Sequence, residues 1–259
     1  MNSAGSSPGA ESPSGDEVST AGAILIGDEL LSGKIQDSNL YPLAGTLRRL
    51  GIRLLRVSII GDNAAVIARE VKQFSADYDV VFTSGGVGPT HDDLTLEAVA
   101  DAFGVSTHID DVTRKMLEEH QGKQLTEAQI RMVRVPDSSR LVSTKDVPWP
   151  TVVMRNVWVL PGVPQAFAMK LSVIHHELKG SQCLLSSSVY LRDDELDLTE
   201  KLNQLVERHP QVSIGSYPRW FDTRYKTKIT FDGEDAALLD AARDDLLSLV
   251  PAESVVNIE

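Results

Sequence analysis

The run Thr83-Ser84-Gly85-Gly86-Val87-Gly88-Pro89-Thr90-His91-Asp92-Asp93-Leu94-Thr95 joins two segments of different periodicity. Before it, Tyr78-Asp79-Val80-Val81-Phe82 is a short apolar, β-branched run that reads as a buried strand. After it, Leu96 to Phe103 has helical spacing. A glycine-rich turn therefore carries a strand into a helix. Gly85, Gly86 and Gly88 let the backbone approach a ligand closely, and the N–H groups of such a turn and of the helix start favour an anion, most often phosphate. The same loop holds Asp92 and Asp93, which repel a phosphate unless a divalent cation bridges them. The stretch reads as a metal-assisted phosphate or pyrophosphate site, with Ser84, Pro89, Thr90 and Thr95 around it. A plain turn and helix cap is the structural alternative.

Working back toward the start, Ala21 to Ile26 is a second buried strand, and it runs into Gly27-Asp28-Glu29-Leu30-Leu31-Ser32-Gly33-Lys34-Ile35-Gln36-Asp37-Ser38-Asn39. Polar residues directly after a strand sit where open α/β sheets bind ligands, which makes Asp28, Glu29, Asp37 and Asn39 pocket candidates. Asn39 or Ser38 also reads as the N-cap of a helix running to a stop at Gly51. Ile52 to Ile60 is a strand ending at Gly61-Asp62-Asn63, before a helix with Ile67, Val71 and Phe74 on one face. Taken alone, Asp62 reads as that helix's cap. Three strand-helix units in succession predict a mostly parallel sheet sandwiched by helices, with the loops of Asp28, Asp62 and Asp92/Asp93 on one edge.

Farther on, Val112 to Gln121 and Thr126 to Val133 read as helices, with Arg131 and Arg134 placed either to face an anion or to form ordinary ion pairs. Residues 136–150 read as a loop. Thr151 to Met154 and Val157 to Leu160 flank Arg155-Asn156 as a hairpin. Pro161-Gly162-Val163-Pro164 is a rigid turn into a helix from Gln165 to Leu178, and it leaves the Gly162 backbone open to a ligand. A composition shift at 180–185 divides residues 21–180 from 186–259, whose order β-α-β-β-α-β predicts a small split βαβ, α+β domain. In it, Gly215-Ser216-Tyr217-Pro218 and the nearby Arg219, Trp220 and Arg224 read either as ring- and phosphate-binding groups or as surface packing.

Composition narrows the function classes. A net charge of -12 and a pI near 4.9 argue against a nonspecific nucleic-acid binder. One cysteine, Cys183, excludes an intrachain disulfide and any multi-cysteine metal cluster. Residues 1–20 are Ser, Gly, Pro and acidic without an apolar segment, so they read as a disordered tail rather than a signal peptide. No run approaches the roughly 18 apolar residues of a membrane span. A cytoplasmic setting is the expectation.

The Gly27–Asn39, Thr83–Thr95 and Pro161–Pro164 motifs together resemble the molybdopterin-binding-like superfamily, in its competence/damage-inducible branch. Within that branch the chain is most similar to the N-terminal region of eukaryotic FAD synthase, over about residues 21–258, with Ser216, Tyr217 and Trp220 in the matching second domain. The resemblance implies a dinucleotide pyrophosphate substrate such as FAD or ADP-ribose, a divalent cation (Mg²⁺, Mn²⁺ or Co²⁺), and a homo-oligomer. It places the two aspartates of the family's active site on Asp62 and Asp93, with Asp92 beside them. Substrate contacts are implied for Gly27, Asp28, Glu29, Asp37, Asn39, Ser84, Gly85, Gly86, Gly88, Pro89, Thr90, Thr95, Pro161, Gly162, Pro164, Ser216 and Tyr217. A glycine-rich stretch that bacterial members carry before the Pro-Gly turn is not found in 136–150. These 259 residues contain neither an adenylyl-transferase nor an amidase partner domain, so FAD synthesis and amide hydrolysis are not expected of them. The expected activity is cleavage of FAD to FMN and AMP. The alternatives are a molybdopterin-phosphate binder of molybdenum cofactor biosynthesis and a noncatalytic flavin-nucleotide module.

Overall fold

The computed structural model describes residues 18–180, 185–220 and 224–259; Cys183 lies outside them. The chain divides into two compact units between Ser181 and Gln182. In the first, strands β1 (Thr20–Ile26), β2 (Arg53–Ile60), β3 (Val80–Ser84), β6 (Arg140–Val142), β7 (Thr151–Met154) and β8 (Val157–Leu160) form one sheet in the order β2-β1-β3-β8-β7-β6. The four strands β2, β1, β3 and β8 run parallel, and β7 and β6 close the edge antiparallel.

Alternation along β1 shows why the sheet is covered twice. Ala21 and Ala23 face one layer with Leu43, Leu47, Phe167, Val173 and Ile174, from helices α2 (Leu40–Arg49) and α7 (Pro164–Glu177). Ile24 and Ile26 face the other, with Ile67, Val71 and Phe74 of α3 (Ala64–Asp77) and Leu96, Ala98 and Val99 of α4 (Thr95–Phe103). A strand buried on both faces must be apolar at every position, and β1 and β3 are buried almost throughout.

The helix after β1 therefore packs on one face and the helix after β3 on the other, although β1 and β3 are neighbours. The connections leaving their carboxyl ends therefore diverge to opposite faces, which marks the topological switch point where open α/β sheets bind ligands.

Several local expectations are corrected. Val18 to Thr20 belong to the first unit rather than to a tail: Val18 N–H donates to the Lys179 carbonyl, and the Thr20 amide and hydroxyl bond the Asp79 carboxylate. A one-turn helix, α1 (Asp28–Leu31), follows β1 directly. The stretch 136–150 contains β6. Thr107–Ile109 (β4) and Arg134–Pro136 (β5) form a separate two-stranded ribbon. Three-residue strands carry too little alternation to be recognised. Between these strands lie α5 (Asp111–Gln121) and α6 (Glu127–Ile130), the latter closed by a capping box from Thr126 and Gln129.

The second unit has the order β9 (Leu185–Leu191), α8 (Glu195–Arg208), β10 (Ser213–Pro218), β11 (Thr227–Gly233), α9 (Ala236–Leu249), β12 (Val255–Ile258). Its sheet, β10-β11-β9-β12, is antiparallel throughout, the split βαβ arrangement. Val189, Leu191, Ile229 and Phe231 pack against Leu198, Leu205, Leu239, Ala242 and Leu246 of its two helices.

Candidate functional site

A cavity of about 720 Å³ opens at the switch point of the first unit, within the range of small-molecule sites. Its wall brings together fifteen residues singled out from sequence: Gly27, Glu29, Asp37, Asn39, Asp62, Ser84, Gly85, Gly86, Gly88, Pro89, Asp92, Asp93, Pro161, Gly162 and Pro164. They come from four chain segments, the turns after β1, β2, β3 and β8.

Asn39 ties three of these turns together. It stands at the N-cap position of α2, yet its side chain makes no cap hydrogen bond. Instead it is buried and donates to Ser84 Oγ at 3.0 Å and to the Gly162 carbonyl at 2.8 Å. The capping role falls to Asp37, which accepts from the Leu40 amide at 2.9 Å and the Asn39 amide at 3.3 Å. An Asp two residues before the cap position freed Asn39 for a long-range role that no local pattern reveals.

The glycine turn is held open by close approach. Gly85 sits at φ 109°, and a Cβ there would lie 2.2 Å from the Ile26 carbonyl oxygen; Gly86 sits at φ 66°. Side chains are excluded sterically at the first and conformationally at both. Thr95 is buried and does not reach the cavity: its amide donates to the Gly86 carbonyl at 2.9 Å and its hydroxyl to the Gly85 carbonyl at 2.8 Å. Both carbonyls are thus drawn toward the start of α4.

The carboxylates occupy distinct settings. Asp62 does not cap α3; Asn63 does, accepting from the Val66 amide. Asp62 Oδ2 accepts from the Asp28 amide at 2.8 Å, and Asp28 Oδ1 accepts from the Asp62 amide at 3.3 Å, so the turns after β1 and β2 clasp each other. Partial burial, reinforced by the negative charges of Asp28, Glu29 and Asp92, raises the Asp62 carboxyl above its ordinary value. Asp93 Oδ2 accepts from the Thr90 amide at 2.8 Å and the Thr90 hydroxyl at 2.5 Å. The Thr90 hydroxyl therefore orients a carboxylate rather than projecting free for a phosphoryl oxygen. Arg131 reaches the same loop and donates to the Thr90 carbonyl at 3.3 Å. His91 is almost fully exposed, 3.8 Å from Asp92, and is not in the wall.

Asp28, Thr90 and Thr95 thus support the wall from behind. Ser216 and Tyr217 lie on β10 of the second unit, Tyr217 exposed and Ser216 with a buried hydroxyl that has no hydrogen-bond partner among the described residues.

The wall also holds a buried cation and apolar residues that the sequence motifs do not mark. Lys170 of α7 is only 5% exposed, and among the described residues it is the sole cationic side chain in a wall that also holds Glu29, Asp37, Asp62, Asp92 and Asp93. Its ammonium donates to the carbonyls of Trp149 and Pro150. Burial pulls it down to about 8. Its position was a signal: three residues after Phe167 and four before Ile174, it falls on the apolar stripe of α7. Apolar groups complete the cavity, among them Leu30, Ile35, Met132, Trp149 and Val152.

Among the described residues no group of three His, Cys, Asp or Glu side chains converges as a ready cage for a metal ion. The charged donors in the wall are all carboxylate oxygens, which suit a hard cation. Magnesium-like ions are commonly held by one or two carboxylates together with substrate phosphates and water, so Asp62 with Asp92 or Asp93 meets that lesser requirement. Among the described residues, no helix is long and apolar enough to cross a membrane.

Comparison with known proteins covers nearly all of residues 22–259. Residues 22–180 match the family described as a probable molybdopterin binding domain, and residues 183–259 match one described as FAD synthase, middle domain. A probable FAD synthase of Caenorhabditis elegans is 33% identical over 263 residues, covering 91% of this chain and 51% of that protein. A CinA-like protein of Myxococcus xanthus is 38% identical over 210 residues, covering 74% of this chain and 49% of its own length. The chain thus spans about half the length of these relatives. The crystal structure of CinA from Thermoplasma acidophilum, 27% identical, superposes with a TM-score of 0.57 over 62% of this chain and 98% of that one.

Proposed function

We propose, from the premise that this chain belongs to the probable molybdopterin binding domain family and continues into a FAD synthase middle domain, that it is a cation-dependent pyrophosphatase acting on a dinucleotide. FAD would give FMN and AMP, and ADP-ribose would give AMP and ribose phosphate. The observation that carries the reading is the pairing of opposites at the switch point. Glycine amides and the starts of α4 and α7 favour an anion, while Asp62, Asp92 and Asp93 line the same wall. A pyrophosphate and a cation neutralise each other there, and each alone meets repulsion or lacks ligands.

In this reading the backbone around Gly85, Gly86, Gly88 and Gly162 receives the phosphoryl oxygens. Asn39 keeps the three turns in register, so the two phosphates are held without reorganisation. Asp62, Asp92 and Asp93 would hold the divalent ion (Mg²⁺, Mn²⁺ or Co²⁺), with the substrate supplying further oxygens. When bound, that ion offsets the charge that builds on the phosphoryl oxygens. Thr90 fixes Asp93, and Arg131 braces the Thr90 carbonyl. Water supplies the new P–O bond, the bridging P–O bond breaks, and the proton lost by water leaves through the carboxylate cluster to solvent.

The test is incubation of the pure protein with FAD or ADP-ribose under each cation, with nucleotides resolved by chromatography. Release of AMP that disappears in Asp93→Ala supports the reading. Tight nucleotide binding with no turnover under any cation replaces it with a noncatalytic flavin-nucleotide module. The family's own description favours a second ligand, a molybdopterin phosphate. Binding of that compound with no affinity for either dinucleotide would select it.

A further inference from the structure

Lys170 is a poor choice for packing. Its neighbours on the buried stripe of α7 are Phe167, Val173 and Ile174, and a fourth apolar residue would complete that face without removing a charge from water. None of the ion pairs among the described residues includes it, although five carboxylates share the cavity wall. An ammonium has three N–H donors; two reach the Trp149 and Pro150 carbonyls, which leaves one on a side chain that lines the cavity.

The position of Lys170 points to what that donor meets. Its Cα lies six residues into α7 from Pro164, about 9 Å along the axis at 1.5 Å per residue, and its ammonium is anchored on the Trp149 and Pro150 carbonyls rather than on any turn of the anion cradle. Its own anchors, Trp149 and Pro150, are wall residues, and the half-buried indole offers an apolar surface suited to a flat ring. We propose that Lys170 is a specificity residue for the ring end of the ligand: it donates to a carbonyl oxygen of a heteroaromatic ring seated against Trp149. Isoalloxazine carries such carbonyls, as a pterin does, and adenine has none, so Lys170 favours a flavin over an adenine and sets which half of the dinucleotide enters this end. This inference rests on the dinucleotide reading above.

The experiment titrates wild type, Lys170→Met and Lys170→Gln with FAD and FMN by flavin fluorescence, and with ADP-ribose by calorimetry. Urea denaturation confirms that each variant is folded. A hydrogen bond from a charged donor predicts a loss of about 10- to 100-fold in flavin affinity for Lys170→Met. ADP-ribose affinity should stay within about 2-fold, and Lys170→Gln, which keeps an N–H donor, should recover part of the flavin affinity. Equal losses for flavins and ADP-ribose would place Lys170 on the phosphates and overturn the inference. Unchanged flavin affinity would reduce it to a brace for the 149–150 segment. Flavin binding without cleavage would remove only the hydrolase reading, whereas a wild type that binds ADP-ribose but no flavin refutes this inference and leaves the pyrophosphatase reading standing.

Discussion

Replacing Lys170 with Met should change how the first unit's stability depends on pH more than it changes stability at neutrality. The ammonium is buried, and desolvation brings it from 10.5 to about 8. Below pH 8 it is charged in both the folded and unfolded chain, and the folded state carries the full desolvation penalty. Between pH 8 and 10.5 the unfolded chain holds a proton that the folded one has released, so stability rises with pH across that window. With roughly 1 kcal/mol or slightly more for each pH step separating the folded from the unfolded value, the penalty is about 3 kcal/mol, and wild type recovers most of it between pH 7 and pH 10. Methionine removes the penalty but strips the Trp149 and Pro150 carbonyls of their donor, at about 1–3 kcal/mol for each group left unpaired. At pH 7 the two effects nearly cancel, and at pH 10 the variant should be the less stable protein by about 2–3 kcal/mol. Urea unfolding at both pH values, followed by tryptophan fluorescence, measures this directly. Trp149 and Trp158 lie in this unit, while Trp220 of the other is already 86% exposed and reports little. Other titrating groups are common to both proteins and drop out of the difference. Parallel pH profiles for the two proteins would refute the assignment of a desolvated ammonium at this position.

Three further outcomes follow from the same geometry. Asn39→Ala removes the donor shared by Ser84 Oγ and the Gly162 carbonyl, so urea denaturation should show a loss of about 1–3 kcal/mol; an unchanged midpoint would mean the three turns are held by something else. Gly85→Ala places a Cβ 2.2 Å from the Ile26 carbonyl at φ 109°, and thermal unfolding should register a loss of about 3 kcal/mol or more; wild-type stability would contradict the tight β1–β3 approach. In the second unit, hydrogen bonding from His209 and then Arg208 holds the Asp245 carboxyl below its ordinary 3.8. A depressed carboxyl contributes stability that is present above that value and lost as pH falls below it, so Asp245→Asn should flatten the acid limb of this unit's unfolding profile.

The amino-acid sequence determined the layers and the ligand edge. Continuous apolar strands alternating with helices of 3.6 periodicity can be buried only as a parallel sheet covered on both faces, as Ile24 and Ala23 on opposite sides of β1 illustrate. The glycine turn after β3 and the acidic turns after β1 and β2 then had to share one edge, because parallel strands put all their carboxyl ends together. The order β-α-β-β-α-β likewise specified the second unit's sheet. Tertiary structure alone decided the division of labour. Whether Asn39 caps a helix or bridges three turns depends on where Ser84 and Gly162 arrive, 45 and 123 residues away. Asp62 ceased to be a cap because the Asp28 amide, 34 residues earlier, came within 2.8 Å. Lys170 entered the site only because α7 crosses the carbonyls of Trp149 and Pro150 while its apolar face meets the sheet. Periodicity records which face of an element is buried, but hydrogen bonds between distant turns are set by how those faces pack.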